Sequence, residues 1–142
     1  MAEHTTNYTS TFIGVAPDSP APGPTVPPER ETPTVARRTY ELLADAPYRF
    51  TSDDIVFTVW ADRNGIPEDE RPAAREEFFA KGQPCLRSSD LAQKYGWGFH
   101  CDADGRVALY GKGSREYDSL VLGLDPRDSS RVKVMAAMRS AR

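Results

Sequence analysis

Residues 81–112, KGQPCLRSSDLAQKYGWGFHCDADGRVALYGK, hold both cysteines, one of the two histidines and one of the two tryptophans. Gly82 reads as a helix exit, Cys85-Leu86 as a short apolar step, and residues 89–95 as a small helix. A hairpin follows, with arms at 98–101 and 106–110. Asp104-Gly105 supplies the positive φ that a tight turn needs. On either side the apolar residues alternate: Phe99 and Cys101 point one way, and Val107 and Leu109 share one face of the return arm. The spacing therefore predicts an α+β domain built on a small antiparallel sheet, centred on the hairpin at 98–110 and covered on one face by helices.

Upstream, the pattern is helical. Ile66-Pro67 opens a helix over 68–81, with acidic residues in its first turn, Lys81 in its last, and Ala74, Phe78 and Phe79 as its buried face. Before it, Thr51 and Asp54 form a capping box for a helix over 53–64, whose face is Ile55, Val56, Val59 and Trp60. The β-prone run Ile55-Val56-Phe57-Thr58-Val59 makes a strand the competitor; the caps and the Asn64-Gly65 stop decide for helix. Thr34 caps a third helix over 35–45, with Val35, Tyr40, Leu42 and Leu43 as its stripe. Residues 53–80 carry eight acidic and three basic side chains, read as a solvated face.

Seven of the twelve prolines fall between Pro17 and Pro33. Such a segment favours extended polyproline geometry, and 17–33 reads as a linker or surface-hugging arm that tolerates shortening. Residues 8–16, YTSTFIGVA, read as a strand joining a sheet edge. Beyond the hairpin, Ser114 caps a short helix with Tyr117, Leu120 and Val121 inward and Gly123 as its stop. Residues 124–142, with five basic and two acidic side chains, read as a last helix fraying into a basic tail.

A length of 142 residues gives one domain, 1–142, with a real core. The net charge of −3 argues against nucleic acid and anionic membranes as general partners. No apolar run approaches a membrane span, and MAEHTTNYTS has neither a basic start nor an apolar core, so the expected location is cytoplasmic. Cys85 and Cys101 are then expected to be reduced thiols.

Candidate catalytic residues are Cys85 and His100, because a thiolate needs an adjacent base to act as a nucleophile at neutral pH. Candidate ligand-binding residues are Arg87, Tyr95, Trp97 and His100. Arg87 offers a planar fork for a carboxylate or phosphate, and Tyr95-Gly96-Trp97-Gly98 joins aromatic faces to close backbone approach. Trp97 is otherwise expected in the core beside Trp60. His4, Cys85, His100 and Cys101 lack metal-site spacing, so neither metal nor cofactor is expected.

TTNYTSTFIGVAPD, PYRFTSDDIVFTVWADRNGIP, FFAKGQPCLRSSDLAQKYGWGFHCDADGRVALYG and the terminal AMRS together resemble a family of small, mostly bacterial proteins known as a domain of unknown function. The likeness spans nearly everything outside the Pro-rich arm. It implies a small cytosolic single-domain protein, with no activity or site residue to carry over. The leading expectation is a non-catalytic ligand-binding or interaction module for an unknown small molecule or protein. The alternatives are a small enzyme using Cys85 and His100, and nucleic-acid binding through a winged helix or the basic C-terminus.

Overall fold

The computed structural model describes residues 4–139. The hairpin forms as its turn chemistry dictates: β2 (Trp97–Cys101) pairs antiparallel with β3 (Val107–Gly111), Cys101 opposite Val107 and Phe99 opposite Leu109. Gly105 sits at φ +82 in the turn, and the Asp102 carboxylate accepts from the Asp104 and Arg106 N–H groups. Gly105→Val should cost about 1–2 kcal/mol more than Gly105→Asn, because Asn tolerates the left-handed region and a β-branched residue does not. Urea unfolding of the two variants checks this, and equal losses would contradict the turn.

β1 (Thr11–Gly14) adds to β2 antiparallel, with Phe12 opposite His100. It is an inner strand, not an edge: β4 (Lys133–Ala136) pairs with it in parallel, giving the order β3-β2-β1-β4. Two expectations are corrected here. The sheet is mixed rather than purely antiparallel, and the described part of 124–142 contains a strand where a helix was expected; residues 140–142 lie outside the described residues. The physical reason is non-local, since β1 offers β4 a ladder through Lys133 N–H to Ser10 C=O and Ala137 N–H to Gly14 C=O.

Helices cover the face carrying Ile13, Phe99, Cys101 and Val107: α1 (Val35–Ala44), α2 (Ser52–Arg63) and α4 (Asp90–Gln93). Their starts follow the caps. Thr34 Oγ1 accepts from Arg37 N–H, Ser89 from Leu91 N–H, and Thr51 and Asp54 complete the capping box of α2. In α1 the buried residues are Ala36, Thr39 and Leu43, while Val35 is exposed; in α2 Ile55, Phe57, Val59 and Ala61 are buried and Trp60 is at the surface. α3 (Arg71–Phe78) is shorter than the expected 68–81, because residues 68–70 take a 3-10 turn ahead of Pro72 and the chain leaves the helix at Phe79.

The second face is covered too, which the one-sided expectation missed. α5 (Arg115–Val121), capped by Ser114, packs Tyr117 and Leu120 on Phe12 and Val132, and Val121 points outward. A winged helix is not formed, because the hairpin is half of a continuous four-stranded sheet. The Pro-rich segment hugs the surface as an arm. Thr25 N–H donates to Tyr95 C=O, Trp97 Nε1 donates to Thr25 C=O, and Ala21 and Pro27 are buried. Trp97 thus packs beneath the arm and against Tyr40, not beside Trp60, whose ring contacts are Phe57 and Phe78.

Candidate functional site

Strand alternation sends His100 to the face opposite Phe99 and Cys101, where it is 1% exposed. Its Nδ1 lies 2.8 Å from the Tyr48 hydroxyl, which lies 2.7 Å from the Tyr110 hydroxyl. Its Nε2 lies 3.8 Å from Asp125 Oδ2, beyond hydrogen-bond reach, and has no hydrogen-bond partner among the described residues. Asp125 is 4% exposed and accepts from the Arg127 backbone N–H, Nε and Nη2 at 2.9, 3.1 and 2.8 Å. The same guanidinium lies over the Tyr48 ring, 3.9 Å from its centroid.

The charges follow from this geometry. Burial lowers the His100 pKa by more than the Asp125 carboxylate raises it, so the imidazole is neutral near pH 7. Hydrogen bonds from Arg127 hold Asp125 below the usual carboxylate range. Burial, then the bond to Tyr110, raises the Tyr48 phenol. A carboxylate facing Nε2 favours the tautomer with its proton there. Nδ1 then accepts from Tyr48, and Tyr48 accepts from Tyr110.

In front of Nε2 lies a cleft of about 210 Å³, lined by Ser10, Asp102, Asp104, Asp128, Ser130 and Arg131 besides the imidazole, Asp125 and Arg127. Three non-glycine residues among those described have positive φ, and all belong to this site. Ser10 (φ 46) lines the cleft, Tyr48 (φ 59) holds the imidazole, and Ser129 (φ 63) lies between Asp128 and Ser130. Each such conformation costs about 1–3 kcal/mol and persists only where its surroundings enforce it; such residues concentrate at functional sites.

A pH dependence follows. The unfolded chain protonates this histidine near pH 6.5, the ordinary value, whereas the folded chain binds the proton only at lower pH. The contribution is therefore complete above pH 6.5 and is lost as pH falls from there through the folded pKa, with a slope of up to about 1.4 kcal/mol per pH unit. The depressed carboxylates Glu41, Asp54, Asp62, Asp125 and Asp128 act at lower pH. Stability measured by urea unfolding should drop as pH falls below about 6.5, and His100→Gln should flatten that drop. An unchanged slope in the variant would assign it elsewhere.

The other sequence candidates lie apart from this cluster. Cys85 is on the helix-covered side, lining a groove with Ile55 and Leu86, and its Sγ is 3.4 Å from the Tyr8 hydroxyl. Cys85 and His100 thus occupy opposite sides of the sheet, and the dyad is not assembled. Both thiols are free, and burial pushes the Cys101 thiol up to about 12. Arg87 Nε donates to Ala136 C=O and Arg87 C=O accepts from Met138 N–H, so this residue pins the end of β4. Tyr95 and Trp97 hold the Pro-rich arm. Of the four ligand-binding candidates, His100 alone lines the cleft over Asp125.

Sequence reasoning missed Tyr48, Tyr110, Asp125 and Arg127. The available signal was Asp125-Pro126, a turn-initiating dipeptide inside a segment read as helix. No group of three or more His, Cys, Asp or Glu side chains suited to a metal ion occurs among the described residues. No described helix is long and apolar enough to cross a membrane.

Neither a curated protein nor a solved structure matches the chain. The model of a family of unknown function, DUF6157, matches residues 3–142, through both the hairpin that carries His100 and the loop that carries Asp125. With nearly its whole length matched, the chain belongs to the DUF6157 family.

Proposed function

We propose that this protein is a non-catalytic module that binds a small, neutral, hydroxyl-rich molecule in the cleft over His100. The observation that carries the reading is a 99% buried imidazole whose Nε2 edge opens on the cleft with no hydrogen-bond partner among the described residues, so that a ligand hydroxyl can replace solvent there as its acceptor. The lining supports the ligand class. Four carboxylates, Asp102, Asp104, Asp125 and Asp128, stand against two guanidiniums, Arg127 and Arg131, leaving two negative charges with His100 neutral. That balance disfavours anions, while adjacent donors and acceptors suit hydroxyl groups. Nε2, carrying its proton beside Asp125, acts as a donor to the ligand and not as a base. The two unpaired thiols support a reducing, cytoplasmic location.

Nuclear magnetic resonance of the His100 ring tests this, using separate panels of monosaccharides and polyols, small amines, and small carboxylates. Hydroxyl-rich members should shift the Nε2 resonance saturably, and Arg131→Ala, at the cleft surface, should weaken the shift while leaving the fold intact. If only carboxylates move the resonance, or none of the three panels does, the reading is wrong.

A further inference from the structure

On the other side of the sheet, α1, α2 and the segment 83–89 enclose a groove of about 290 Å³, at the lower edge of the roughly 300–1,000 Å³ of small-molecule sites. We propose that this groove is a second site, independent of the His100 cleft, which takes a small amphipathic carboxylate with its apolar tail inside and its carboxylate on Arg63. The tail is argued from the walls. Ile55, Val56, Val59, Phe78 and Leu86 line the groove, and Trp60 and Val35 stand at its surface, 36% and 49% exposed. Large apolar groups kept in water around a concavity forgo burial worth about 25 cal/mol per Å², which an apolar ligand restores.

The head group is argued from charge. The chain carries a net charge of −3, yet no acidic residue lines this groove and Arg63 is its single charged member. Neighbouring arginines are already paired: Arg38 with Glu41 and Asp62, Arg71 with Asp62 and Glu68, and Arg75 with Asp54. Arg63 has no ion pair among the described residues; its Nε donates to Pro33 C=O at 3.4 Å. It is exposed, and its remaining donors suit one carboxylate. Thr39, Gln83, Ser88 and Ser89 supply neutral polar groups to the same lining. A single guanidinium with neutral companions matches one negative charge better than the two of a phosphate monoester.

Octanoate, octanol and octylammonium, added separately to the full chain, share one tail and differ in head group. Binding is read from the Trp60 indole N–H resonance, with Trp97 beneath the Pro-rich arm as internal control. Octanoate should shift the Trp60 signal saturably and leave Trp97 unmoved, and octanol and octylammonium should bind at least about tenfold more weakly, as expected for loss of a charge-assisted hydrogen bond. Arg63→Gln should bring octanoate down to the affinity of octanol. Equal affinities for octanoate and octanol in the wild-type protein, a preference that survives Arg63→Gln, or no octanoate-induced shift of Trp60 would each overturn the proposal.

Discussion

Replacing residues 17–33 with a Gly/Ser linker of equal length should destabilise the domain by about 4 kcal/mol, from lost burial, lost hydrogen bonds and a freer unfolded chain. The contributions come from named groups. Pro27 and Ala21 lose their buried side chains, and a linker without those anchors no longer holds the Thr25 carbonyl on Trp97 Nε1 or the Thr25 N–H on the Tyr95 carbonyl. The carbonyl at position 27, which Arg37 Nη1 reaches at 3.0 Å, is likewise no longer fixed by a buried proline ring. Pro24 lies so close over β3 that a methyl group at Gly111 would stand 2.7 Å from its Cγ. For a chain of this size about 4 kcal/mol corresponds to a fall of roughly 10 °C in Tm, and thermal unfolding of the replaced variant reads it directly. A fall below about 3 °C would return the arm to the passive connector that its proline content suggests. Composition alone predicts that connector, because prolines donate no ladder hydrogen bonds; the carbonyls of Thr25 and of Pro27 itself, with the Thr25 N–H, do the anchoring instead.

The parts of the fold legible in the sequence are those fixed by short-range chemistry. Asp104-Gly105 sets the hairpin, and Thr34, the Thr51/Asp54 box and Ser114 start their helices where cap rules put them. The capping box even overrides the β-prone run from Ile55 to Val59, which is helical throughout. What failed depends on partners distant in the chain. Residues 133–136 are a strand because β1 lies parallel to them, and β1 is internal for the same reason. Nothing within residues 124–142 announces a partner more than a hundred residues upstream. Trp97 is placed by the arm in a similar way, through a carbonyl 72 positions earlier.

The candidate site shows the same division. His100 was identifiable as a polar residue on a strand arm, and alternation predicts that it faces away from Phe99 and Cys101. Its partners come from elsewhere: Tyr48 from the turn before α2, Tyr110 from β3, and Asp125 with Arg127 from the loop before β4. They converge only when the sheet closes. Cys85, adjacent in the linear reading, ends on the other side of that sheet. The strained residues Ser10, Tyr48 and Ser129 likewise become a group only in three dimensions, since each alone is an ordinary polar or aromatic loop residue.

Gly98→Ala should be as damaging as a large core truncation, costing about 3 kcal/mol or more although it adds one methyl group, because overpacked cores pay in displaced neighbours. The backbone at Gly98 is extended and tolerates any residue; the obstacle is space. An added Cβ would meet Phe12 Cζ at 2.5 Å, Phe12 Cε1 at 2.8 Å and Tyr117 Cε2 at 3.0 Å. Neither ring is free to withdraw. Phe12 is fully buried and sits edge-on to Tyr117 at 5.1 Å, and the Tyr117 hydroxyl accepts from the Val15 N–H at 2.8 Å. Moving either ring therefore disturbs β1, the strand on which both β2 and β4 depend. Shortening the ring should relieve the clash, so Phe12→Leu combined with Gly98→Ala should be more stable than the sum of the two single losses predicts, by about 1 kcal/mol or more. Urea unfolding of the two single variants and the double variant measures that coupling. Additive losses, or a Gly98→Ala cost below about 1 kcal/mol, would show that the second face of the sheet yields where its packing says it should not.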